Sequence, residues 1–174
     1  MGTRTALSFV FVAVVALVSV GNVSAQANPT ADGVISPGEY SNESVDGPVH
    51  LYSRFDSTRI YLAVEGRTSG WVAIGLSSRR MNGAQIFMGF VSNGRPEFST
   101  QAGARHSHSE SSDFAAVEHG IGESGGTTTM ELVLDRASFL GPAQSTLDVI
   151  FALGSSDSFR QYHSFRSSTS LRID

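Results

Sequence analysis

Apolar residues recur at every second position along most of this chain, which is the period of a β-strand. The alternation is clearest in residues 60–65 and 127–134, where one face is apolar. Turn residues separate such runs at intervals of roughly 8–12 residues, and no segment keeps a helical period. The pattern predicts an all-β, single-domain, antiparallel β-sandwich that is immunoglobulin-like in the broad sense. Strands are predicted at residues 49–55, 60–65, 71–76, 84–91, 96–100, 114–118, 127–134, 147–153, 159–165 and 169–173.

Two of these runs, residues 71–76 and 84–91, are apolar or small on both faces, which is typical of central strands covered on both sides. The first begins with Trp71, the only Trp of the chain, and we expect it to be a core residue. Between the two runs lies a polar turn that contains Met81. Packing explains a Met in such a turn poorly, so it either folds back onto a core or is presented to a ligand.

The remaining segments are expected to be connections. Residues 41–48 and 101–113 are polar, and residues 119–126 are rich in Gly. Residues 135–141 are expected to form one helical turn or a loop.

The first 25 residues have the pattern of a secretory signal peptide. Arg4 precedes an apolar run at residues 7–20, and small residues at alternate positions follow around Ala25. The apolar run is short for a membrane-spanning helix, which needs roughly 20 residues. We therefore expect a domain of residues 26–174 that is exported to the periplasm or the extracellular space. A retained N-terminal anchor is the less favoured alternative, and no second hydrophobic span follows.

Composition excludes several kinds of site. The chain has no Cys, which excludes disulfides, covalent c-type haem, zinc-thiolate sites and iron–sulfur clusters. Its net charge of −4 argues against nucleic acid or an anionic membrane surface as a partner. No nucleophile elbow, phosphate loop or metalloprotease motif is present. We therefore expect a binding or electron-transfer protein and not an enzyme.

The side chains that could bind a metal are few. A Met thioether and a His imidazole together give a low-spin, six-coordinate haem iron, and Met81 and His163 are the candidate pair. On spacing alone, a core-capping Met81 and a half-buried strand residue His163 are the favoured interpretation. His106 and His108 could share a strand face and bind copper or zinc, but no third ligand is marked and a solvated loop is favoured.

Four arginines lie near the candidate ligands along the chain. They either pair with haem propionates or are solvated side chains. They are Arg79, Arg80, Arg160 and Arg166.

Several short stretches resemble the DOMON family. They are Asp32-Gly33, Ser36-Pro37-Gly38-Glu39-Tyr40, Gly70-Trp71-Val72-Ala73-Ile74-Gly75-Leu76, Met81-Asn82-Gly83-Ala84 and Tyr162-His163.

The family includes bacterial secreted single-domain proteins and the cytochrome domain of cellobiose dehydrogenase. The resemblance implies a β-sandwich that binds haem b non-covalently, through a Met after the Gly-Trp strand and a His in a late strand. Met81 and His163 fall at those places. Gln85 stands where the family motif usually has Asp.

Two functions remain open from the sequence. The first, implied by the resemblance, is an exported b-type cytochrome domain that exchanges single electrons with a redox partner protein, such as a membrane cytochrome or a secreted oxidoreductase. The alternative is a carbohydrate-binding β-sandwich module without haem. Sugar platforms need exposed aromatic faces. Trp71 is expected in the core, which leaves Tyr40, Tyr52 or Tyr162. The oligomeric state is left open.

Overall fold

Two antiparallel sheets form a sandwich in the computed structural model of this chain, which describes Gly2 and residues 27–173. The predicted all-β, single-domain sandwich is confirmed. The signal peptide predicted at residues 1–25 lies, apart from Gly2, outside the described residues, and the domain boundary at residue 26 stays a prediction. In the described part of the chain, no helix is both long enough and apolar enough to cross a bilayer.

In the described residues the strands follow one another with short connections and a single helical turn. They are β1 (Asn42–Asp46), β2 (Val49–Phe55), β3 (Arg59–Gly66), β4 (Val72–Leu76), β5 (Gln85–Ser92), β6 (Arg95–Ala104), β7 (Ser107–Glu110), β8 (Glu118–Ser124), β9 (Thr127–Asp135), α1 (Arg136–Phe139), β10 (Thr146–Leu153) and β11 (Phe165–Arg172).

One sheet has five strands in the order β1-β2-β3-β9-β8, and the other has six in the order β11-β10-β4-β5-β6-β7. In each central strand, alternate residues point to the same face of the sheet. The apolar faces of the two sheets pack against each other and form the core between them. Ile74 and Phe87 from the six-stranded sheet and Leu62 and Leu132 from the five-stranded sheet are at most 1% exposed. Phe87 also packs edge-on against Phe114, with ring centroids 5.4 Å apart. The period-two pattern therefore marked the interior faces correctly.

A strap formed by residues 31–34 lies on the outer face of the five-stranded sheet. The fully buried Glu131 of β9 holds it there, accepting hydrogen bonds from the backbone N–H groups of Gly33 at 2.7 Å and Val34 at 3.1 Å. The hydroxyl of Tyr40 donates to the other carboxylate oxygen at 2.9 Å. Burial raises the pKa of Glu131, and the hydrogen bonds from Tyr40 and Gly33 oppose that shift. This outer face is thus covered by the chain itself.

Three segments differ from prediction because edge strands pair through the backbone and need no apolar pattern. The predicted loop at residues 41–48 contains β1, whose five residues are all exposed. The predicted loop at residues 101–113 contains the end of β6 and the whole of β7. The predicted strand at residues 114–118 is wrong, since the strand here is β8 at Glu118–Ser124.

The end of the chain also differs. Residues 159–165 were predicted as a strand but form a turn and an irregular connection, and β11 begins only at Phe165. The apolar residue that suggested a strand, Phe159, packs from this connection against Phe90, with ring centroids 4.7 Å apart. His163 therefore lies just before the last strand and not within a strand.

Candidate functional site

The outer face of the six-stranded sheet is apolar, which is unusual for a face that is not part of the central core. On β5, Phe87 points to the core while Ile86 and Met88 point outward, yet these two are only 4% and 1% exposed. Ala73 of β4 and Ile150 of β10 join the same outer cluster. An open cleft of about 1640 Å³ lies over this face. It exceeds the roughly 300–1,000 Å³ of most small-molecule sites, so it has room for a large planar ligand.

Two loops bound the open cleft at opposite ends of the six-stranded sheet. The Met81 loop, residues 77–84, follows the end of β4, and the His163 loop, residues 154–164, follows the end of β10. β4 and β10 are antiparallel neighbours, with Leu76 opposite Val149 and Val72 opposite Leu153. Their C-terminal ends therefore point in opposite directions, and side chains from both loops line the cleft between them.

The Met81 loop rests directly on strand β6. Gly83 N–H donates to the carbonyl of Gly103 at 2.9 Å, and Arg105 N–H donates to Asn82 Oδ1 at 2.8 Å. Only a glycine fits beneath the loop, since a Cβ at residue 103 would overlap the carbonyl oxygen of Met81 and lie 3.0 Å from its carbonyl carbon. The strand register thus fixes the backbone of Met81 relative to the cleft.

Met81 is half-buried and packs against the outer apolar cluster while it lines the cleft. The two interpretations of this Met from sequence therefore coexist: it folds back onto apolar residues, and its side chain is available to a ligand. Gln85, which stands at the position of the usual family Asp, accepts a hydrogen bond from Ser77 Oγ at 3.1 Å. Ser77 itself has a φ of 66°, so this bond braces the sharp exit from β4.

The His163 loop is tied down at both ends by main-chain hydrogen bonds. Gly154 N–H donates to the carbonyl of Trp71 at 2.9 Å, and Ser164 N–H donates to the carbonyl of Leu153 at 2.9 Å. The indole of Trp71 lies flush on Gly154, where a Cβ would come within 2.9 Å of Cζ2 and still closer to the indole nitrogen. Trp71 is 3% exposed and belongs to the outer cluster, so its indole is the surface on which the His163 loop packs.

His163 is half-buried in the wall of the cleft, beside Tyr162. Burial lowers the pKa of its imidazole, and the positive charge of Arg166 lowers it further. The ring is therefore neutral at pH 7 and keeps a lone pair, which is the form that binds a metal.

The second histidine pair also borders the cleft. His106 is exposed in the turn after β6, and His108 lies on β7 with Nδ1 hydrogen-bonded to Gln101 Oε1. Gln101 in turn donates to Ser99 Oγ at 3.1 Å. Burial lowers the pKa of His108. Among the described residues no group of three or more His, Asp or Glu side chains could hold a metal ion, so the pair gains no third ligand of these types.

Exposed arginines surround the cleft. Within the described residues none of them makes an ion pair within 4 Å. Sequence inspection singled out four of them and missed Arg105, which comes to the rim only through the β6–β7 turn. They are Arg79, Arg80, Arg105, Arg160 and Arg166.

These residues fit a b-type haem. The floor is apolar, a soft thioether and a neutral imidazole come from separate loops, and the rim is rich in guanidinium groups that suit carboxylates. The indole nitrogen of Trp71 is buried against Gly154 and has no hydrogen-bond partner in the described structure.

Comparison with known proteins agrees with this fold. The family model described as DOMON domain matches residues 45–133, just over half of the chain, which include Met81 but not His163. The cytochrome b domain of pyranose dehydrogenase from Coprinopsis cinerea is similar in fold, with a TM-score of 0.57 and 14% identity over 71% of this chain and 76% of that one. The cytochrome domain of Myriococcum thermophilum cellobiose dehydrogenase has a TM-score of 0.55 and 10% identity over 72% of this chain and 75% of that one. No curated protein sequence matches.

Proposed function

This chain belongs to the DOMON family, and from that premise we propose that its cleft binds one haem b non-covalently and that the protein carries single electrons. The thioether of Met81 and an imidazole nitrogen of His163 would hold its iron. One observation carries the proposal: two loops from opposite ends of the six-stranded sheet place these two donors in the wall of one apolar cleft.

Each part of the cleft has a task in this proposal. A haem held there would supply a one-electron Fe(III)/Fe(II) couple. Ile86 and Met88 provide a floor without hydrogen-bonding groups, which keeps water from the site. His163 is ready to coordinate without losing a proton, because its pKa is already lowered. A thioether favours the reduced state of iron more than a second imidazole would, so Met81 raises the reduction potential.

The rim would orient the cofactor. The propionates of haem b are carboxylates, and an Arg guanidinium binds a carboxylate through two parallel hydrogen bonds. Arg79 and Arg80 on the Met81 loop and Arg160 and Arg166 beside His163 are the candidates, and all four are exposed at the cleft.

The cellular role follows as part of the same proposal. The protein would exchange electrons with a redox partner, either a membrane cytochrome or a secreted oxidoreductase. The signal peptide predicted at residues 1–25 supports export to the periplasm or the extracellular space.

The alternative function, a carbohydrate-binding module, has less support. Trp71 is 3% exposed and offers no open aromatic face. Tyr162, at 75% exposed, is the one strongly exposed aromatic side chain of the described residues, and a single ring is a small sugar platform.

Visible spectroscopy of the full chain supplied with haem b tests the proposal. We expect sharp α and β bands on reduction in the wild type and their loss in Met81→Leu and in His163→Gln, since each variant lacks one axial ligand. His106→Gln is the matched control, because His106 lines the same cleft but is not a proposed ligand. A wild-type protein that stays colourless would refute haem binding, and unchanged bands in either ligand variant would refute that ligand.

A further inference from the structure

We propose that the rim of the cleft is a docking surface for a carboxylate-rich redox protein. This inference rests on the proposed electron-transfer function and names the partner's surface chemistry. The arginine collar consists of the five cleft-lining arginines: Arg79, Arg80, Arg105, Arg160 and Arg166.

The collar is a local reversal of charge. The chain has 12 basic residues and 16 acidic ones, for a net charge of −4. Five of the 12 basic residues line this cleft, against only three of the 16 acidic ones, namely Glu97, Glu110 and Asp157. The cleft therefore carries two more arginines than carboxylates on a protein that is negative overall.

Ion pairs within the described part of the chain do not account for the arginine collar. The described ion pairs are His50 with Glu43 and Arg59 with Asp135, and neither includes a collar arginine. Unpaired like charges around one opening repel each other, and a bound anion relieves that repulsion. Two haem propionates would occupy two guanidinium groups in bidentate pairs. At least three collar arginines then remain, and none of them lies within 4 Å of the three cleft-lining carboxylates.

A protein fits this surface better than a membrane does. Arg and Tyr are enriched in protein interfaces, and the strongly exposed Tyr162 stands within the collar. The other strongly exposed large apolar side chains of the described residues, Val34, Val45 and Val117, do not line the cleft, so the collar lacks the apolar side chains that insert into lipid. An extended anionic membrane would also face the negatively charged surface outside the collar, which would repel it. A compact partner protein would contact the collar alone.

In the docked pair one electron passes between the two proteins, so that one is oxidised and the other reduced. No atom is transferred. Because the collar arginines line the cleft that would hold the cofactor, a partner docked on them would lie beside that cleft.

Small redox reagents of opposite charge give a direct test. The net charge of the protein and the charge of the collar predict opposite changes in the reaction rate as the ionic strength rises. The reduced haem-loaded protein is mixed with anionic hexacyanoferrate(III) or cationic hexaammineruthenium(III) at increasing ionic strength. The collar predicts that the rate constant with the anion falls at least about tenfold between low and physiological salt. A rate that rises with salt, as the net charge of −4 predicts, overturns the proposal.

Matched variants separate position from charge. The triple variant Arg79→Gln, Arg105→Gln and Arg160→Gln should lose the salt-dependent fall. The control triple variant removes the same amount of charge from exposed arginines outside the cleft, and it should keep the salt-dependent fall in rate. It consists of Arg67→Gln, Arg95→Gln and Arg172→Gln. Equal behaviour of the two triple variants overturns the proposal.

A second measurement does not need haem. We expect the haem-free protein to bind a fluorescein-labelled oligoglutamate peptide at low salt, and the collar variant, but not the control variant, to lose this binding. If the peptide binds in this way but haem bands never appear, the docking surface stands and the proposed electron transfer fails. Binding to phosphatidylserine vesicles without binding to the peptide, or no binding to either, overturns the protein-docking proposal.

Discussion

Gly103 is the residue on which the position of Met81 depends most directly. Its Cα faces the underside of the Met81 loop, and an added methyl group would overlap the Met81 carbonyl oxygen and approach the carbonyl oxygen of Ala84 to 3.4 Å. In Gly103→Ala the loop must therefore withdraw from β6 by a distance on the order of 1 Å, which is twice the tolerance of about 0.5 Å for a preorganised site.

The withdrawal has two separable effects. It strains the hydrogen bonds from Gly83 N–H to Gly103 and from Gly103 N–H to Ala84, both 2.9 Å long. Overpacking of this kind costs roughly 1–3 kcal/mol of unfolding free energy, which the sandwich as a whole should survive. The proposed ligand, in contrast, is displaced by this distance while His163 keeps its place. We expect haem affinity to fall by more than tenfold and the reduced bands to weaken.

Haem titration and urea denaturation of the same preparations measure these two effects. Gly141→Ala is the control, because Gly141 has no neighbour closer than 4.0 Å and lies outside the cleft. The reasoning is refuted if Gly103→Ala remains folded and binds haem with the affinity and bands of the wild type. Met81 would then not be positioned by β6 or would not be a ligand.

Two further predictions concern the fold. Glu131→Gln should lower the free energy of unfolding by roughly 1–3 kcal/mol in urea denaturation, because an amide nitrogen cannot accept the hydrogen bonds that the strap and Tyr40 donate to the carboxylate. Glu118→Gln on the exposed edge is the control, and equal losses would contradict the role of the strap. Partial burial lowers the pKa of His119, an exposed residue of β8 whose ring stacks on Phe98 with centroids 3.9 Å apart. The unfolded chain then binds more protons, so stability is lost as the pH falls below about 6.5 towards the lowered pKa. His119→Phe should reduce that slope in denaturation curves measured between pH 7.5 and 5.5, and an unchanged slope would contradict it.

The interior of the fold could be predicted from sequence because burial leaves a pattern. Residues 60–65 and 127–134 each carry one apolar face, and both became strands of the five-stranded sheet. The edge strands β1 and β7 could not be found this way, since their pairing uses backbone groups that every residue has. Phe159 misled the prediction for the opposite reason, because one aromatic side chain can be buried from a loop as well as from a strand.

The candidate site was only half visible in the sequence. Met81 stood out because an apolar side chain in a polar turn is hard to explain by packing. His163 had no such signal, and only the family resemblance favoured it as a ligand over a half-buried strand residue. The contributions of Gly103 and Arg105 depend on the register between β5 and β6, and that of Trp71 on its contact with Gly154. None of these follows from residue type or local spacing.

The way the His163 loop is fastened has a consequence for how such a domain diversifies. Its anchors are main-chain hydrogen bonds at Gly154 and Ser164, the packing of Trp71 on Gly154 and the contact of Phe159 with Phe90, so the other side chains between those points contribute little to folding. Mutations there carry a small thermodynamic penalty and are open to drift and selection. One inherited sandwich can thus acquire, exchange or abandon its ligand chemistry through changes in a single connection.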